Sequence, residues 1–132
     1  MVSKMVPEII RWQTPVAHMC RTAMQEVKLG DKKIAARDKV VMWYVSGNRD
    51  ENAINRANEL IIERDNPRRH LSFSFGIHRC VGLRLAETQL TVLWEEILKR
   101  FSAIELVGSP RYLRSNFIKG ITHLPVKVKR KR

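Results

Sequence analysis

The sequence predicts a mixed α+β chain, and three observations carry that prediction. Residues 83–101 repeat apolar side chains at helical spacing, with Leu83, Ala86, Leu90, Leu93, Ile97 and Phe101 on one stripe. Residues 19–45 hold β-prone runs punctuated by turn chemistry. A shorter helical pattern opens the chain between Pro7 and Pro15. With 132 residues, 44% of them hydrophobic, there is material for one modest domain with a core.

Taken in order, Pro7 suits a first helical turn, and Ile9, Ile10 and Trp12 give bulk before Pro15 blocks continuation. Glu8 and Arg11 stand three apart, hence on one helical face. Alone, such a pair reads as an exposed ion pair worth well under ~1 kcal/mol. A small antiparallel β region is expected next. Residues 21–27 lead to a turn at Leu29-Gly30-Asp31, Lys32-Lys33-Ile34 follows, and a second turn falls near Ala36-Arg37-Asp38. Residues 40–45 are β-prone without alternation, which predicts a strand buried on both faces. Gly47-Asn48-Arg49-Asp50 ends it, with Asp50 placed to cap a helical turn over residues 51–55. Residues 56–70 carry no period, and the guanidinium-rich stretch 61–69 predicts an irregular loop. The helix after Gly82 is expected to run to about Phe101. Trp94 and Leu98 widen its apolar face, so it should be deeply packed. Residues 104–107 and 124–128 read as short strands, joined by a connection containing residues 114–120. No repeat, linker or second domain is visible, so residues 1–132 are expected to form a single unit.

The net charge is +12, and residues 127–132 supply five of the positive charges. Such a field attracts nucleic acid, anionic membranes or acidic proteins without choosing among them. The tail itself is expected to be a solvated, frayed terminus. No run of about 18 apolar residues is present to span a membrane. Residues 1–8 lack a signal-peptide core. Cys20 and Cys80, in very different settings, make no disulfide framework, and a cytoplasmic location is expected.

The chain is organised around His70-Leu71-Ser72-Phe73-Ser74-Phe75-Gly76-Ile77-His78-Arg79-Cys80-Val81-Gly82. Cys80 sits where a loop feeds a helix N-terminus, a setting that stabilises a thiolate. A buried free cysteine is the plainer alternative. Zinc would need more ligands at short spacing than Cys80 and His78 provide. A cysteine hydrolase could draw on His18, His70 or His123, but no local signature supports one. Iron–sulfur clusters need more thiolates than two cysteines supply; haem needs a single one. With haem, Gly76 would permit a backbone turn and Gly82 a close approach of the helix start to the macrocycle. Phe73 could pack against the ring, His78 or Arg79 could meet a propionate, and loop N–H groups could donate to the sulfur.

Residues 73–82 resemble, at every signature position, the haem-binding loop of the cytochromes P-450. On that resemblance Glu8-x-x-Arg11 looks like the family's helix K pair, part of a buried network. Arg21 in Arg21-Thr22-Ala23 is similar to a propionate-binding arginine of bacterial members. Gly47-Asn48-Arg49-Asp50 and Arg64 also resemble bacterial members. Residues 7–15, 67–73 and 94–101 are similar to the bacterial medium-chain alkane hydroxylases. Where many members have Pro-x-Arg-Phe, this chain has Ala57-Asn58-Glu59-Leu60, so Arg64 stands as the candidate third member of the network.

The resemblance implies the C-terminal part of a fold that is mainly α in its parent: helix K, a small β-sheet, a meander, the cysteine loop, helix L and C-terminal strands. It implies a haem (iron protoporphyrin IX) ligated by Cys80 and flanked by Phe73, Gly76, His78, Arg79, Gly82 and Arg21. The activity implied is monooxygenation of aliphatic C–H bonds, with terminal hydroxylation of medium-chain alkanes the nearest match. Electrons would come from NAD(P)H through a ferredoxin reductase and a ferredoxin. Part of the positive charge would suit an acidic ferredoxin. Val16, Ala17, Phe117 and Ile118 would face a small hydrophobic substrate, although apolar residues are as readily ordinary core. The resemblance starts at helix K, without the family's helix I, so the chain alone is expected to be inactive. A non-catalytic haem-binding remnant is the alternative. A small basic nucleic-acid-binding domain is a weaker one: it lacks a docking motif and leaves the cysteine loop unexplained, so no nucleic-acid partner is expected.

Overall fold

The computed structural model describes all 132 residues. Helix α1 spans Val2–Gln13 and holds Pro7 in its interior, which corrects the expected first-turn placement. Proline there forfeits one backbone bond, to the carbonyl of Ser3. Ser3 is exposed, so water can serve that carbonyl. Burial of Met5, Val6 and Ile10 favours the longer helix. It stops at Thr14, which takes a left-handed conformation (φ 42°) and donates its hydroxyl to the Arg11 carbonyl at 2.6 Å.

Strand β1 (His18–Thr22) pairs antiparallel with β4 (Lys39–Trp43), Cys20 facing Val41 across the ladder. Between them β2 (Val27–Leu29) and β3 (Lys32–Ile34) form a hairpin that turns at Gly30, φ 57°. The β region is therefore two ribbons, and β4 is not buried on both faces. Its exposure alternates, because β1 is its only neighbour in the ladder. The backbone also leaves the strand earlier than expected: Tyr44–Gly47 form a short helix, α2, with Tyr44 buried. Asp50 caps the following turn, its carboxylate accepting the Asn52 N–H at 2.9 Å. Residues 56–70 contain turns and no regular element, as their lack of period predicts.

A 3-10 turn (Gly76–His78) and helix α3 (Leu83–Arg100) frame Cys80. The bounds of α3 agree with its apolar period, but its depth does not. Only Leu83 and Glu87 are buried, while Leu85, Val92, Leu93 and Leu98 are exposed. Helix α1 and the strand that follows α3 are the elements packed against it, so the wide apolar face stays open. That strand, β5 (Phe101–Leu106), pairs antiparallel with β8 (Val126–Arg130), and β6 (Arg111–Tyr112) pairs with β7 (Ile121–His123). The basic tail is thus mostly strand rather than frayed end. Val126 and Val128 stand opposite Leu106 and Ile104, and Lys131 donates its N–H to the Arg100 carbonyl at 2.8 Å.

The mixed α+β class is as expected, but the core is unusual in composition. Met5, Val6, Ile10, Ala17, Tyr44, Ile54, Ala57 and Leu83 are its apolar members. Glu8, Arg11, Thr14 and Asn48, each at most 1% exposed, are buried alongside them.

Candidate haem-binding site

The site rests on a buried ionic network. Glu8 and Arg11 form a bidentate pair, Arg11 Nε to Glu8 Oε2 and Nη2 to Oε1, both at 2.8 Å. Neither residue is exposed, so the surface reading of this pair is wrong. Arg64 donates from Nε to Glu8 Oε2 at 3.0 Å, and the Ile61 N–H donates to Oε1 at 2.9 Å. The remaining donors of Arg11 reach the carbonyls of Asn48, Ala57 and Glu59 at 2.7–2.8 Å. Arg64 also donates to the carbonyls of Asn55, Arg56 and Glu59. Residues 48–64 have no ladder of their own, and these two guanidinium groups hold their carbonyls in place. Burial alone would raise the Glu8 pKa, but Arg11, the Ile61 N–H and Arg64 outweigh it and hold the carboxyl at about 2.

Asn48 connects this network to the cysteine loop. Its Nδ2 donates to Thr14 Oγ1 and Ser72 Oγ at 2.9 Å, and its Oδ1 accepts the Leu71 N–H at 2.6 Å. Ser72 Oγ in turn donates to the Ile10 carbonyl at 2.9 Å. The loop is therefore fixed at its entry by α1. Within it, Gly76 takes φ 64°, a conformation that a side chain resists. The Cys80 N–H donates to the Phe73 carbonyl at 2.9 Å, and the Arg79 N–H to the Gly76 carbonyl at 3.0 Å. The N–H groups of Val81 and Gly82 have no backbone acceptor.

Cys80 opens on a cleft of about 410 Å³. Ile10, Val16, Met19, Phe73, Ala86 and Leu90 make much of the wall, and Arg21 and His78 are the cationic-capable groups on it. Arg21, Tyr44, Ser74 and His78 continue from it into a second cavity beside Met42 and Trp43. A haem, with its apolar face, two carboxylates and an iron to be held, would ask for these groups: one thiol, apolar walls, and cations to one side. Arg21 Nε is buried without a partner in the chain, as a group awaiting an anionic ligand would be. At Gly82 an added Cβ would meet nothing but Cys80 Sγ, at 3.7 Å. The residues present therefore fit a haem.

The other expected positions divide. Arg79 does not line the cleft. It lies on a separate groove with Arg68, Arg69, His70 and Phe75, which leaves His78 as the loop's cationic side chain on the cleft. Val16 lines the cleft and pairs with Ile118 in an isolated bridge. Ala17 is buried in the core, its N–H donating to the Phe117 carbonyl at 2.8 Å. Phe117 and Ile118 thus stand beside the cleft wall, 37% and 42% exposed. Three residues carry no role in the sequence reading: Asn48, Tyr44 and Ser74. Asn48 lies in a segment noted as a strand end and for its likeness to bacterial proteins, and Tyr44 hides in an apolar run.

The cytochrome P450 family profile matches residues 1–129, and the chain belongs to that family, one of haem-dependent monooxygenases. Linalool 8-monooxygenase of Pseudomonas putida is 44% identical over 119 residues, 90% of this chain and 29% of that protein. The methyl-branched lipid omega-hydroxylase of Mycobacterium bovis is 40% identical over 92% of this chain and 28% of its own length. Cytochrome P450-153 from Novosphingobium aromaticivorans superposes with a TM-score of 0.91 at 44% identity, over 97% of this chain and 32% of that one. The chain thus spans about a third of the length of the relatives it matches.

Proposed function

We propose that this chain is the haem-binding part of a monooxygenase that hydroxylates aliphatic C–H bonds, with the terminal carbon of a medium-chain alkane as the substrate class. The observation that carries the haem assignment is the convergence of Cys80, Arg21 and His78 on one otherwise mainly apolar cleft. When bound there, haem supplies oxygen activation for C–H hydroxylation. The chain's own part is to hold the iron by the Cys80 sulfur, to neutralise two carboxylates with Arg21 and His78, and to keep water from the ring with Phe73, Ile10 and Leu90. The alkane reading rests on the sequence resemblance, on Val16 in the wall with Ile118 opposite it in the bridge, and on a relative whose name specifies omega-hydroxylation of a lipid. We read residues 1–132 as one part of one domain, acting in the cytoplasm.

Electrons would enter from a ferredoxin and its reductase. The supporting surface is the groove of Arg68, Arg69 and Arg79 beside Phe75, with Ile77 and Val81 projecting from the same loop. Exposed apolar side chains rimmed by arginine suit a small acidic protein.

The test is a carbon monoxide difference spectrum of the reduced, haem-loaded chain, with Cys80→Ala as control. A thiolate-type Soret band present in the natural chain and lost in the variant is expected. Its absence from a folded, haem-loaded natural chain would overturn the assignment. A larger shift of the ferric Soret band with octane than with linalool would support the alkane reading, and the reverse order would replace it with a terpenoid.

A further inference from the structure

Ser74 is a serine in the left-handed region, φ 63°, at the centre of the cysteine loop. A residue with a Cβ is strained there, and such strain persists only where surrounding contacts over-determine it. One such contact is specific. The hydroxyl of Tyr44, a residue 4% exposed, donates to Ser74 Oγ at 2.8 Å. Tyr44 opens helix α2, just where β4 stops, so the bond joins the β1–β4 ribbon to the loop across 30 residues of sequence. The neighbouring residue gives the contact its consequence. Phe73, bonded directly to Ser74, supplies the carbonyl on which the Cys80 N–H rests at 2.9 Å. The Ser74 N–H is itself held by the Leu71 carbonyl at 2.8 Å. If Ser74 relaxed to negative φ, the Phe73 peptide would rotate and the Cys80 amide would lose its acceptor.

We propose that Tyr44 and Ser74 are a positioning pair: the Tyr44 hydroxyl clamps Ser74 in its strained conformation and so fixes the Phe73 carbonyl and the Cys80 sulfur. That this sulfur is an iron ligand rests on the function proposed above; the clamp itself does not. Two hydroxyls on an apolar wall otherwise have little reason to be there. Here the serine accepts from the tyrosine and is held in a backbone conformation that glycine would adopt without help.

The experiment compares three variants of the full chain by amide hydrogen exchange, read at Cys80 and at α3 amides remote from the loop. Tyr44→Phe keeps the ring and removes the donor. Ser74→Ala keeps the strained Cβ and removes the acceptor. Ser74→Gly removes acceptor and strain together. We expect Cys80 exchange to rise about fivefold in the first two, as the loss of one hydrogen bond of ordinary net worth implies. In Ser74→Gly it should stay near the natural rate, and adding Tyr44→Phe to that background should change nothing further. The α3 amides should be unaffected throughout. Unchanged Cys80 exchange in Tyr44→Phe, or a Ser74→Gly chain as loose as Ser74→Ala, would overturn the clamp. With haem added, the fraction of thiolate-type Soret band should follow the same order. A natural chain that shows the exchange pattern but never a thiolate band would keep the clamp and reject the haem ligand.

Discussion

Arg64 and Glu8, 56 residues apart, meet at 3.0 Å between Nε and Oε2, and the same oxygen accepts Arg11 Nε at 2.8 Å. One carboxylate thus binds two guanidinium groups, and the surplus positive charge is spread over carbonyls at Asn48, Ala57 and Glu59. The long irregular segment before the cysteine loop has no helix or strand of its own to frame it. The network, together with the burial of Ile54 and Ala57, sets where residues 48–64 run and hence where the loop begins.

Glu8→Gln is therefore expected to be severe. An amide oxygen in place of Oε2 could still accept from both Nε groups, but the N–H₂ in place of Oε1 would face Arg11 Nη2 and the Ile61 N–H, donor against donor, and two buried guanidinium groups would be left without a counterion. Breaking a buried pair by removing one partner costs about 3–5 kcal/mol. A chain with so small an apolar core should lose cooperative unfolding in a urea titration followed by circular dichroism. A midpoint within experimental error of the natural chain would show that the network is ornamental.

Acid should act in two windows. The His70 pKa is pushed from 6.5 to about 4, chiefly by burial, and its Nδ1 accepts the Ser72 N–H at 3.3 Å, which a protonated nitrogen cannot do. The unfolded state therefore binds the proton first, and stability falls by up to about 1.4 kcal/mol per pH unit as pH descends from 6.5 to about 4. Glu8, lowered from 4.5 to about 2, contributes stability that is intact above 4.5 and lost as pH falls toward 2. His70→Asn should flatten the first limb and leave the second. Unfolding free energies from pH 7 to 3 would show whether the limbs separate in this way.

What the sequence disclosed follows the range of the interactions. The cysteine loop and α3 are local patterns, and their positions were readable because a motif and a helical period need no partner. Glu8 and Arg11 were visible as one face of a helix, but not their burial, which depends on Arg64 and on carbonyls some 40 residues away with no periodicity to announce them. Residues 40–45 misled because β-propensity reports a pleated, half-buried surface rather than two covered faces. The same run hid the switch to helix at Tyr44. Arg79 and His78 are adjacent in sequence, and only the 3-10 turn that ends at His78 separates them onto different surfaces.

Asn48→Ala should loosen the loop entry specifically. The substitution leaves the Leu71 N–H without its acceptor and removes two donors from the buried Thr14 and Ser72 hydroxyls, at a cost of about 2–3 kcal/mol. Amide exchange at Leu71 and Ser72 should quicken well before that at Ile10 in α1. Equal acceleration at all three would mean that the loop and helix unfold as one unit.

Gly82→Val separates what the chain needs from what its ligand needs. Gly82 has φ −79° and ψ 1°, which any residue adopts, and an added Cβ would meet only Cys80 Sγ at 3.7 Å. Nothing in the polypeptide therefore calls for glycine, and the unfolding free energy should change by no more than about 1 kcal/mol, the scale of a helix N-cap substitution. A branched side chain beside the sulfur would nevertheless occupy the space into which a macrocycle must come to reach it. Haem affinity, measured by Soret titration, should fall at least about tenfold, equivalent to roughly 1.4 kcal/mol. Unchanged affinity with unchanged stability would place the macrocycle away from Gly82 and require a different approach to Cys80. A loss of both would make Gly82 a folding residue, against the open space the structure shows around it.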